Sequence, residues 1–532
     1  MDTERCKKMA HADLRSHEKA DRIILIGLML LAVGLTFVIC PFSPLYRYCF
    51  EPDEISYFVV SRGFLSRKIP YRDLFDHKGP LTYVVYALGL LLSGGSNWGI
   101  WLVFTGINIG IFTLLYRNLR LFFAPDRSFS AIAVLLCFFF VKRAILYSSG
   151  SKPEHIILLL LLLSEYVYSR RVKQYADQAE EDPALFTGTD MYLLGLCAGG
   201  VFMTKMNICI YYLCFVGAYY LWLLSRKAWR AFLRSFRIFL SGIVTVSAPF
   251  FLYFLLHGAL REFWESYFVF NTYYAANGSV TLHFYRTWIS KHNQILITVS
   301  FAMMCAAAII ALIAGKRRRQ QCIFYTLGAI VYFFITLPII FSYTFCVLIP
   351  LYLPAFGILA ELVLRSLPYR TLPVAAAAML VVVSSIFSYT QIKASPTHFH
   401  EAKALESSMM DYYREHPDAQ TLFFYTLCQP FFYDRSSADP DFRYFYRPRN
   451  ATEEMRSAQY DYVQQGLADV VVFHRSKGIG DEYMEDVKLF MLESGYALYY
   501  EDYPQSRTYV FTRDIKNEQD HPSTPNETAV PA

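Results

Sequence analysis

Residues 51–81, with the sequence EPDEISYFVVSRGFLSRKIPYRDLFDHKGPL, form a densely charged stretch between two strongly apolar segments. The stretch contains five Asp or Glu residues and five Lys or Arg residues. Two turn signals, Pro70 and Gly79-Pro80, enclose much of its charge. Such a stretch is either a solvated loop with mutually neutralising charges or a site with a chemical function.

The composition indicates a helical membrane protein that crosses the bilayer several times. Of the 532 residues, 55% are hydrophobic and 18% are charged, which is less charge than a soluble protein of this size carries. Apolar runs of roughly 18 or more residues recur, and each can cross a hydrocarbon core about 30 Å thick. The polar N-terminus lacks a small-residue cleavage site before the first apolar run, so we expect a retained anchor.

The short loops between the apolar runs predict the orientation. Their Lys and Arg residues are clustered at 117–120, 170–173, 226–234 and 316–319, all on one side, which the positive-inside rule assigns to the cytoplasm. This clustering explains the net charge of +6 without nucleic-acid binding. The N-terminus is then cytoplasmic and the C-terminus extracytoplasmic. The eleven predicted spans are 22–41, 97–116, 128–147, 152–169, 190–204, 206–224, 237–257, 292–314, 322–341, 344–364 and 372–391.

Two of these placements depend on length. Residues 190–224 would form one helix about 50 Å long, which is too long for one crossing. The interruption TKMN at 204–207 therefore predicts two crossings, with Lys205 at the outer turn. Residues 80–93 are too few for a full crossing and predict a re-entrant or interfacial helix. The charged stretch then lies outside the cytoplasm, in a first outer loop of about residues 42–96.

The C-terminal part of the chain has a different pattern. Its apolar runs shorten to strand length and alternate with polar helical stretches, which predicts a small extracytoplasmic α/β domain over 395–515. Residues 1–394 would form the membrane domain, including the first outer loop, and residues 516–532 a disordered tail. The predicted strands are 421–426, 469–474, 497–500 and 508–512, and the predicted helices include 400–415 and 451–465.

The first outer loop carries residue types suited to sugar transfer from a phosphate. A carboxylate such as Asp53 or Glu54 can act as general base on an acceptor hydroxyl, and Lys78 can neutralise a phosphate. Together they suit an oxocarbenium-like transition state in which negative charge grows on the leaving phosphate. A phosphate carried on a membrane lipid explains the location. No His, Asp or Cys spacing is typical of a metal site, so we expect no metal and no cofactor.

Asp53 and Glu54 begin a segment that we predict to be an amphipathic helix, with its carboxylates facing a cavity. The apolar side chains expected to lie against the membrane are Ile55, Phe58, Val59 and Phe64.

The sequences PDE at 52–54 and PYRDLFDHKGPL at 70–81 resemble the GT-C superfamily of membrane glycosyltransferases. They are most similar to bacterial relatives of the protein O-mannosyltransferases and of the lipid A aminoarabinose transferase. Weaker similarities follow in order, so that the resemblance covers roughly residues 20–390. They are SKPEHIILLLL at 151–161, GGVFMTKMN at 199–207, FWESYFVFNTYYA at 263–275 and SYTFCVLIPLYLPAFGIL at 342–359.

The resemblance implies transfer of a sugar from a polyprenyl- or dolichyl-phosphate donor, outside the cytoplasmic membrane and usually with inversion. It implies Asp53 as catalytic base, with Glu54 beside it as support, and Lys78 near the lipid phosphate. The further substrate-binding residues that it implies are Asp76, Glu154, Lys205 and Tyr343.

The sequence departs from the family pattern at two points in the first loop. Ile55-Ser56 stands where many relatives have a small residue after the acidic pair, and His77 replaces an acidic or other polar residue before the lysine. These departures leave the sugar undefined. The acceptor is also open, since glycolipid, lipopolysaccharide, another cell-wall polymer and protein hydroxyls all fit.

Each site residue also has a purely structural interpretation. Asp53 can cap its helix, Lys78 can pair with Asp76 or Asp73, and Lys205 can extend to the membrane interface. Two other functions stand beside glycosyl transfer. A transporter or flippase of a lipid-linked saccharide would need charged or broken helices near the bilayer midplane. A scaffold protein would recruit partners through its outer domain and would not depend on Asp53.

Overall fold

A computed structural model describes part of the chain, which divides into two compact units. The first unit contains residues 1–47 and 77–392, and the second contains residues 48–76 and 393–532. The described residues are 3–46, 52–122, 150–177, 185–277, 349, 350, 353, 409–424, 432, 433, 439–448, 450–474, 481–502 and 508–513.

Most of the described residues are helical. The longer helices of the first unit are apolar, and a shared core of buried aliphatic and aromatic side chains joins α1, α4, α5, α6 and α7. The helices are α1 (Thr3–Ile39), α2 (Pro52–Leu65), α3 (Pro80–Leu92), α4 (Trp98–Phe122), α5 (Pro153–Asp177), α6 (Gly188–Phe202), α7 (Ile210–Ser225), α8 (Trp229–Leu256), α9 (Leu260–Trp264), α10 (Phe270–Asn277), α11 (Glu453–Gln464) and α12 (Asp481–Glu493). A 3₁₀ turn (Met206–Cys209) precedes α7, and a π-helical segment (Glu265–Val269) joins α9 to α10.

Four described segments are long and apolar enough to cross a membrane. They are Asp21–Ile39, Trp98–Leu121, Met206–Ser225 and Trp229–Leu256. Two further predicted spans, 152–169 and 190–204, overlap α5 and α6, but α5 contains several charged side chains and α6 has only 15 residues. At 1.5 Å per residue, α6 rises about 22 Å, which is less than the hydrocarbon thickness. The remaining predicted spans, 128–147, 292–314, 322–341, 344–364 and 372–391, lie outside the described residues apart from 349, 350 and 353.

The break predicted within residues 190–224 is present. Helix α6 ends at Phe202, and Lys205 has extended backbone angles (φ −158°, ψ 98°) before the 3₁₀ turn begins. Helix α8 packs closely on α6, since a Cβ atom at Gly242 would lie only 2.8 Å from the Gly195 Cα. Small residues at such a crossing let two helix backbones approach within a membrane. The predicted re-entrant segment is also a helix, α3, and it begins with Pro80.

The second unit contains a four-stranded mixed sheet with the order β1-β2-β4-β3. Its strands are β1 (Thr421–Phe423), β2 (Val470–His474), β3 (Tyr496–Asp502) and β4 (Thr508–Arg513), which overlap the four predicted strands. Strands β1 and β2 are parallel and α11 lies between them in the chain, whereas β4 is antiparallel to both β2 and β3. Residues 409–415 are helical and lie within the predicted helix 400–415. Helix α12 was not among the predicted helices.

Residues 48–76 of the first outer loop group with the C-terminal residues, whereas we expected the whole loop to belong to the membrane domain. Charged side chains make the connection: Arg62 Nε donates to Asp439 at 2.5 Å, and Lys68 Nζ lies 2.5 Å from Asp441. The backbone amide of Phe75 donates to the Arg443 carbonyl at 2.8 Å. Hydrophobicity alone cannot predict these contacts, because they join residues more than 350 positions apart.

The expectation that the apolar face of α2 lies against the membrane is wrong. Ile55, Phe58 and Val59 are buried within the protein, and Phe64 is half-buried. Glu54 is also completely buried, so both faces of the helix are covered. Helix α2 is therefore an internal helix of the second unit.

We predict that Asp439→Asn loosens the outer loop. The substitution removes the charge that pairs with the largely buried Arg62 guanidinium, and breaking such a pair costs about 1–3 kcal/mol. Hydrogen–deuterium exchange should show faster exchange over residues 62–75. The control is Asp411→Asn, which removes an exposed partner of Arg414 and should change nothing. Equal protection in wild type and Asp439→Asn would contradict this account of the loop.

Candidate active site

Two chain segments of the first unit are joined by their backbones at the start of α3. The amide of Gly79 donates to the Thr204 carbonyl, and the amide of Leu81 donates to the Met203 carbonyl, both at 3.0 Å. Lys78 and Lys205 directly adjoin this contact in the sequence. Backbone pairing therefore holds together two lysines that lie more than 120 residues apart.

Glycine is required at position 79 because the two backbones approach so closely. A Cβ atom there would overlap the Met203 carbonyl oxygen and would lie 2.8 Å from the Thr204 Cα. Pro80 follows as the first residue of α3, where its missing N–H costs no helical hydrogen bond. The Gly-Pro pair thus provides both the close contact and the start of the helix.

Lys78, Glu154 and Lys205 form a cluster of charges in the first unit. Lys205 Nζ donates to Glu154 Oε1 at 2.8 Å, and the two side chains retain 19% and 3% of their exposure. The Lys78 ammonium is half-buried and also interacts electrostatically with the Glu154 carboxylate. The structure thus brings together three of the residues predicted to bind substrate.

His77 contacts both Lys78 and α10. Lys78 Nζ lies 2.8 Å from His77 Nε2, and the His77 ring stacks on Tyr274 with 5.5 Å between ring centroids. Asn271 Nδ2 donates to the His77 carbonyl at 2.7 Å. Asn271 therefore holds the backbone immediately before Lys78.

The π-helical segment positions these α10 residues. Its Tyr267 is completely buried and donates its hydroxyl proton to the Phe202 carbonyl at the end of α6. Asn271 follows one turn later and also donates to the Tyr267 carbonyl at 2.7 Å. π-Bulges are often found at functional sites. In the sequence, Asn271 stands out only as an Asn within an aromatic run, and helical periodicity does not assign it a partner.

The cluster is suited to an anionic ligand. The two ammonium groups and the one carboxylate carry a net charge of +1, and Lys205 is the lysine that pairs directly with Glu154. Lysine binds phosphate as a point charge with three donors, and a neighbouring carboxylate fixes the direction of those donors. Lys78 and Lys205 are both partly exposed, whereas Glu154 is buried, so the two lysines are the members of the cluster that a ligand can reach.

The other predicted site residues belong to the second unit or are not described. Asp53 is half-buried in the first turn of α2, and Glu54 beside it is completely buried. Asp76 is buried and accepts a hydrogen bond from the Tyr446 hydroxyl at 3.1 Å. Tyr343 lies outside the described residues. The roles of these four residues stay predictions.

Asp73 stabilises the turn that precedes Asp76. Its carboxylate accepts from the Ile69 amide at 2.6 Å and from Arg72 Nε at 2.8 Å. Partial burial raises the pKa of Asp73, but the Arg72 guanidinium and the Ile69 amide outweigh burial and leave the pKa below its ordinary value. The carboxylate therefore stabilises the turn at neutral pH, and this contribution is lost only as pH falls through the lowered pKa.

A buried polar network, for which the sequence predicted no role, includes the residue next to Glu154. Thr36 on α1, Asn108 on α4 and His155 on α5 are buried, and Asn108 is hydrogen-bonded to both of the others. Among the described residues, no three His, Cys, Asp or Glu side chains are grouped as metal ligands would be. The expectation of a reaction without a metal or cofactor stays a prediction.

No family model matches the sequence, and no curated protein matches it. Solved structures do match the fold. ArnT from Cupriavidus metallidurans bound to undecaprenyl phosphate aligns with a TM-score of 0.58 at 14% identity, over 92% of this chain and 98% of that one. The apo state of the same protein aligns with a TM-score of 0.56 at 13% identity, over 93% and 98%. The apo Archaeoglobus fulgidus oligosaccharyltransferase aligns with a TM-score of 0.50 at 12% identity, over 93% and 74%.

These structures are GT-C superfamily membrane glycosyltransferases. The chain has the GT-C fold. The structural likeness extends over 98% of ArnT, so it includes much more than the first outer loop, where the sequence resembles the GT-C superfamily. Together with its apolar helices, the GT-C fold indicates a multi-pass membrane protein.

We predict that Gly79→Ala disrupts the cluster of Lys78, Glu154 and Lys205. The new methyl group would overlap the Met203 carbonyl, so the two backbone hydrogen bonds must lengthen or break. The thermal unfolding midpoint should fall, and the amides of Gly79 and Leu81 should exchange faster with solvent.

The matched control is Gly106→Ala in α4. A Cβ atom there meets nothing within 4 Å, so the variant should be as stable as wild type or slightly more stable. Unchanged exchange at Leu81 in Gly79→Ala would contradict the close backbone contact.

Proposed function

We propose that the chain is a glycosyltransferase that moves a sugar from a polyprenyl-phosphate donor to an acceptor hydroxyl at the outer face of the cytoplasmic membrane. The cluster of Lys78, Glu154 and Lys205 is the observation that carries this proposal, because it provides held ammonium groups for a phosphate. The solved ArnT structure of the same fold is bound to undecaprenyl phosphate, which supports a lipid phosphate as ligand.

The reaction changes the charge of the phosphate, and the cluster is suited to that change. A sugar phosphodiester carries one negative charge, and loss of the sugar leaves a phosphate monoester that approaches two. Ammonium groups at this position attract the leaving group more strongly than the donor. Interactions that strengthen in the transition state accelerate a reaction, whereas uniform binding does not. Lys78 and Lys205 are thus proposed to stabilise the leaving phosphate.

Asp53 is proposed as the general base that takes the proton from the acceptor hydroxyl. It is half-buried, whereas the neighbouring Glu54 carboxylate is completely buried. A general base must come within hydrogen-bond reach of the proton that it removes, so exposure favours Asp53. Glu54 is proposed to support it. A base acting on the face opposite the leaving phosphate would invert the anomeric centre.

The remaining substrate contacts follow from the same proposal. Asp76, Glu154 and Tyr343 are proposed to line the binding region, with Glu154 acting through its ion pair to Lys205. The donor comes from the lipid bilayer, and the acceptor is a glycan, lipid or protein hydroxyl. The N-terminus is proposed to be cytoplasmic and the C-terminal α/β domain extracytoplasmic.

The alternative function is transport of a lipid-linked saccharide. One observation favours it: the Glu165 carboxylate is completely buried in α5, and charged groups within membrane helices often serve transport. However, Glu165 accepts from Ser169 at 2.5 Å and from Tyr211 at 3.1 Å, which is a satisfied structural environment. Glycosyl transfer is therefore the function that we propose.

We predict that Asp53→Asn abolishes release of polyprenyl phosphate from the donor. Purified protein would be incubated with a panel of polyprenyl-phosphate sugars and an acceptor membrane extract, and free lipid phosphate would be measured. Loss of a general base should lower the rate by at least about a hundredfold. Asp411→Asn, which removes an exposed carboxylate, should retain the wild-type rate.

The outcomes separate the parts of the proposal. Release by wild type and equal release by Asp53→Asn would refute the assigned base but keep the transferase. No release by folded wild type from any donor in the presence of acceptor would refute the transferase and favour transport or a scaffold.

A further inference from the structure

A buried polar network joins three helices of the first unit and includes His155, the residue that follows Glu154. Thr36 on α1, Asn108 on α4 and His155 on α5 retain 2%, 7% and 1% of their exposure. Buried polar groups among apolar helices are costly unless they are hydrogen-bonded, and within a membrane they are often functional. His155 lies in the segment 151–161 that resembles the GT-C superfamily, but the resemblance assigns no role to His155, Asn108 or Thr36.

The direction of each hydrogen bond in this network can be derived. The Thr36 hydroxyl donates to the Ala32 carbonyl at 2.8 Å, so its oxygen accepts from Asn108 Nδ2 at 3.0 Å. The second Nδ2 proton points to the Gly150 carbonyl at 3.2 Å, and a carbonyl can only accept. The Asn108 amide is thereby oriented with its Oδ1 atom toward His155.

This orientation fixes the tautomer of His155. Asn108 Oδ1 lies 2.7 Å from His155 Nδ1, and because Oδ1 can only accept, Nδ1 carries the proton. Asn108 thus binds the chain on both sides of Glu154, at Gly150 and at His155. Gly150 has a positive φ of 75°, so the chain turns sharply there before α5 begins.

A second contact holds the same segment. The Tyr86 hydroxyl on α3 donates to the Ser151 carbonyl at 2.9 Å, and the His155 amide donates to the Lys152 carbonyl at 2.9 Å. The residues between Gly150 and His155 are thus held from α3 and from α4. The Glu154 carboxylate, which pairs with Lys205, projects from this held segment.

We infer that Asn108 and His155 are positioning residues that hold Glu154, and through it Lys205, in the geometry needed at the leaving phosphate. The kinetic part of this inference rests on the proposed glycosyl transfer. Neither side chain needs to touch the substrate. A displacement of about 1 Å at a charged group can cost up to about a hundredfold in rate.

The kinetic test is a double-mutant cycle between Asn108→Ala and Glu154→Gln. Asn108→Ala should lower kcat/KM for the donor by about ten- to a hundredfold. In the Glu154→Gln background the same change should cost less than about threefold, because the residue through which Asn108 acts is already altered. Effects that multiply fully would overturn the inference, since they would mean that Asn108 acts independently of Glu154.

Two sets of variants separate positioning from a general loss of structure. His155→Asn places an amide donor where Nδ1 stood and should retain most activity, whereas His155→Phe should resemble Asn108→Ala. Thr105→Val removes a buried hydroxyl on α4 that donates only to its own helix at Trp101, and it should change nothing. Failure of His155→Asn to exceed His155→Phe in folded protein would count against positioning.

A measurement without turnover tests the same network and distinguishes its failure from failure of the proposed function. The chain contains 12 histidines, and ¹⁵N-histidine NMR of wild type and His155→Asn would identify the His155 signals by difference. We expect the Nδ1–H tautomer in wild type and its loss in Asn108→Ala. The Nε2–H tautomer in wild type would overturn the inference even if the protein is a glycosyltransferase. Lack of turnover would refute only the proposed function and leave this result to decide the positioning.

Discussion

The rest of the candidate site depends on a close backbone contact between residues 79–81 and 203–204. Two hydrogen bonds of 3.0 Å form there, and the absence of a side chain at Gly79 makes the approach possible. Lys78 and Lys205 directly adjoin these segments, so the backbone contact fixes where their side chains begin. We propose that both lysines bind one anion, and the fixed backbone would lower the conformational entropy that their long side chains lose on binding it.

A second constraint is the cost of placing polar groups in an apolar helical unit. Glu154, His155 and Asn108 are all buried, and their hydrogen bonds connect different parts of the chain. Glu154 is bonded to Lys205, and His155 is bonded to Asn108. Satisfying these groups therefore defines the head of α5 more rigidly than apolar packing would. Asn271 of α10 has a similar effect, since it holds the backbone before Lys78 and is itself bonded to Tyr267 of the π-helical segment.

The sequence predicted much of this arrangement because its signals were local. Apolar length identified α1, α4, α7 and α8, the TKMN interruption identified the turn at Lys205, and strand-length runs identified the four strands. It could not predict that residues 48–76 group with the C-terminal part, because the Arg62–Asp439 and Lys68–Asp441 pairs are distant in sequence. Nor did helical periodicity show that α2 is covered on both faces. The GT-C resemblance indicated Lys78, Glu154 and Lys205, but nothing in the sequence indicated that His155 pairs with Asn108, which lies 47 residues away. The assignment of Asp53 as base still rests on its sequence context and exposure.

Direct binding is the simplest test of the proposal that the cluster of Lys78, Glu154 and Lys205 recognises a lipid phosphate. Polyprenyl phosphate would be titrated into purified wild type and the double variant Lys78→Met/Lys205→Met, with a polyprenyl alcohol as the uncharged ligand. The control is Lys488→Met, which removes a lysine of α12 that pairs with Glu501. We predict that wild type and Lys488→Met bind the phosphate alike and prefer it to the alcohol. The double variant should lose that preference by at least about tenfold, since hydrogen bonds to charged groups contribute about 1.5–3 kcal/mol. Equal phosphate preference in the folded double variant would contradict the account.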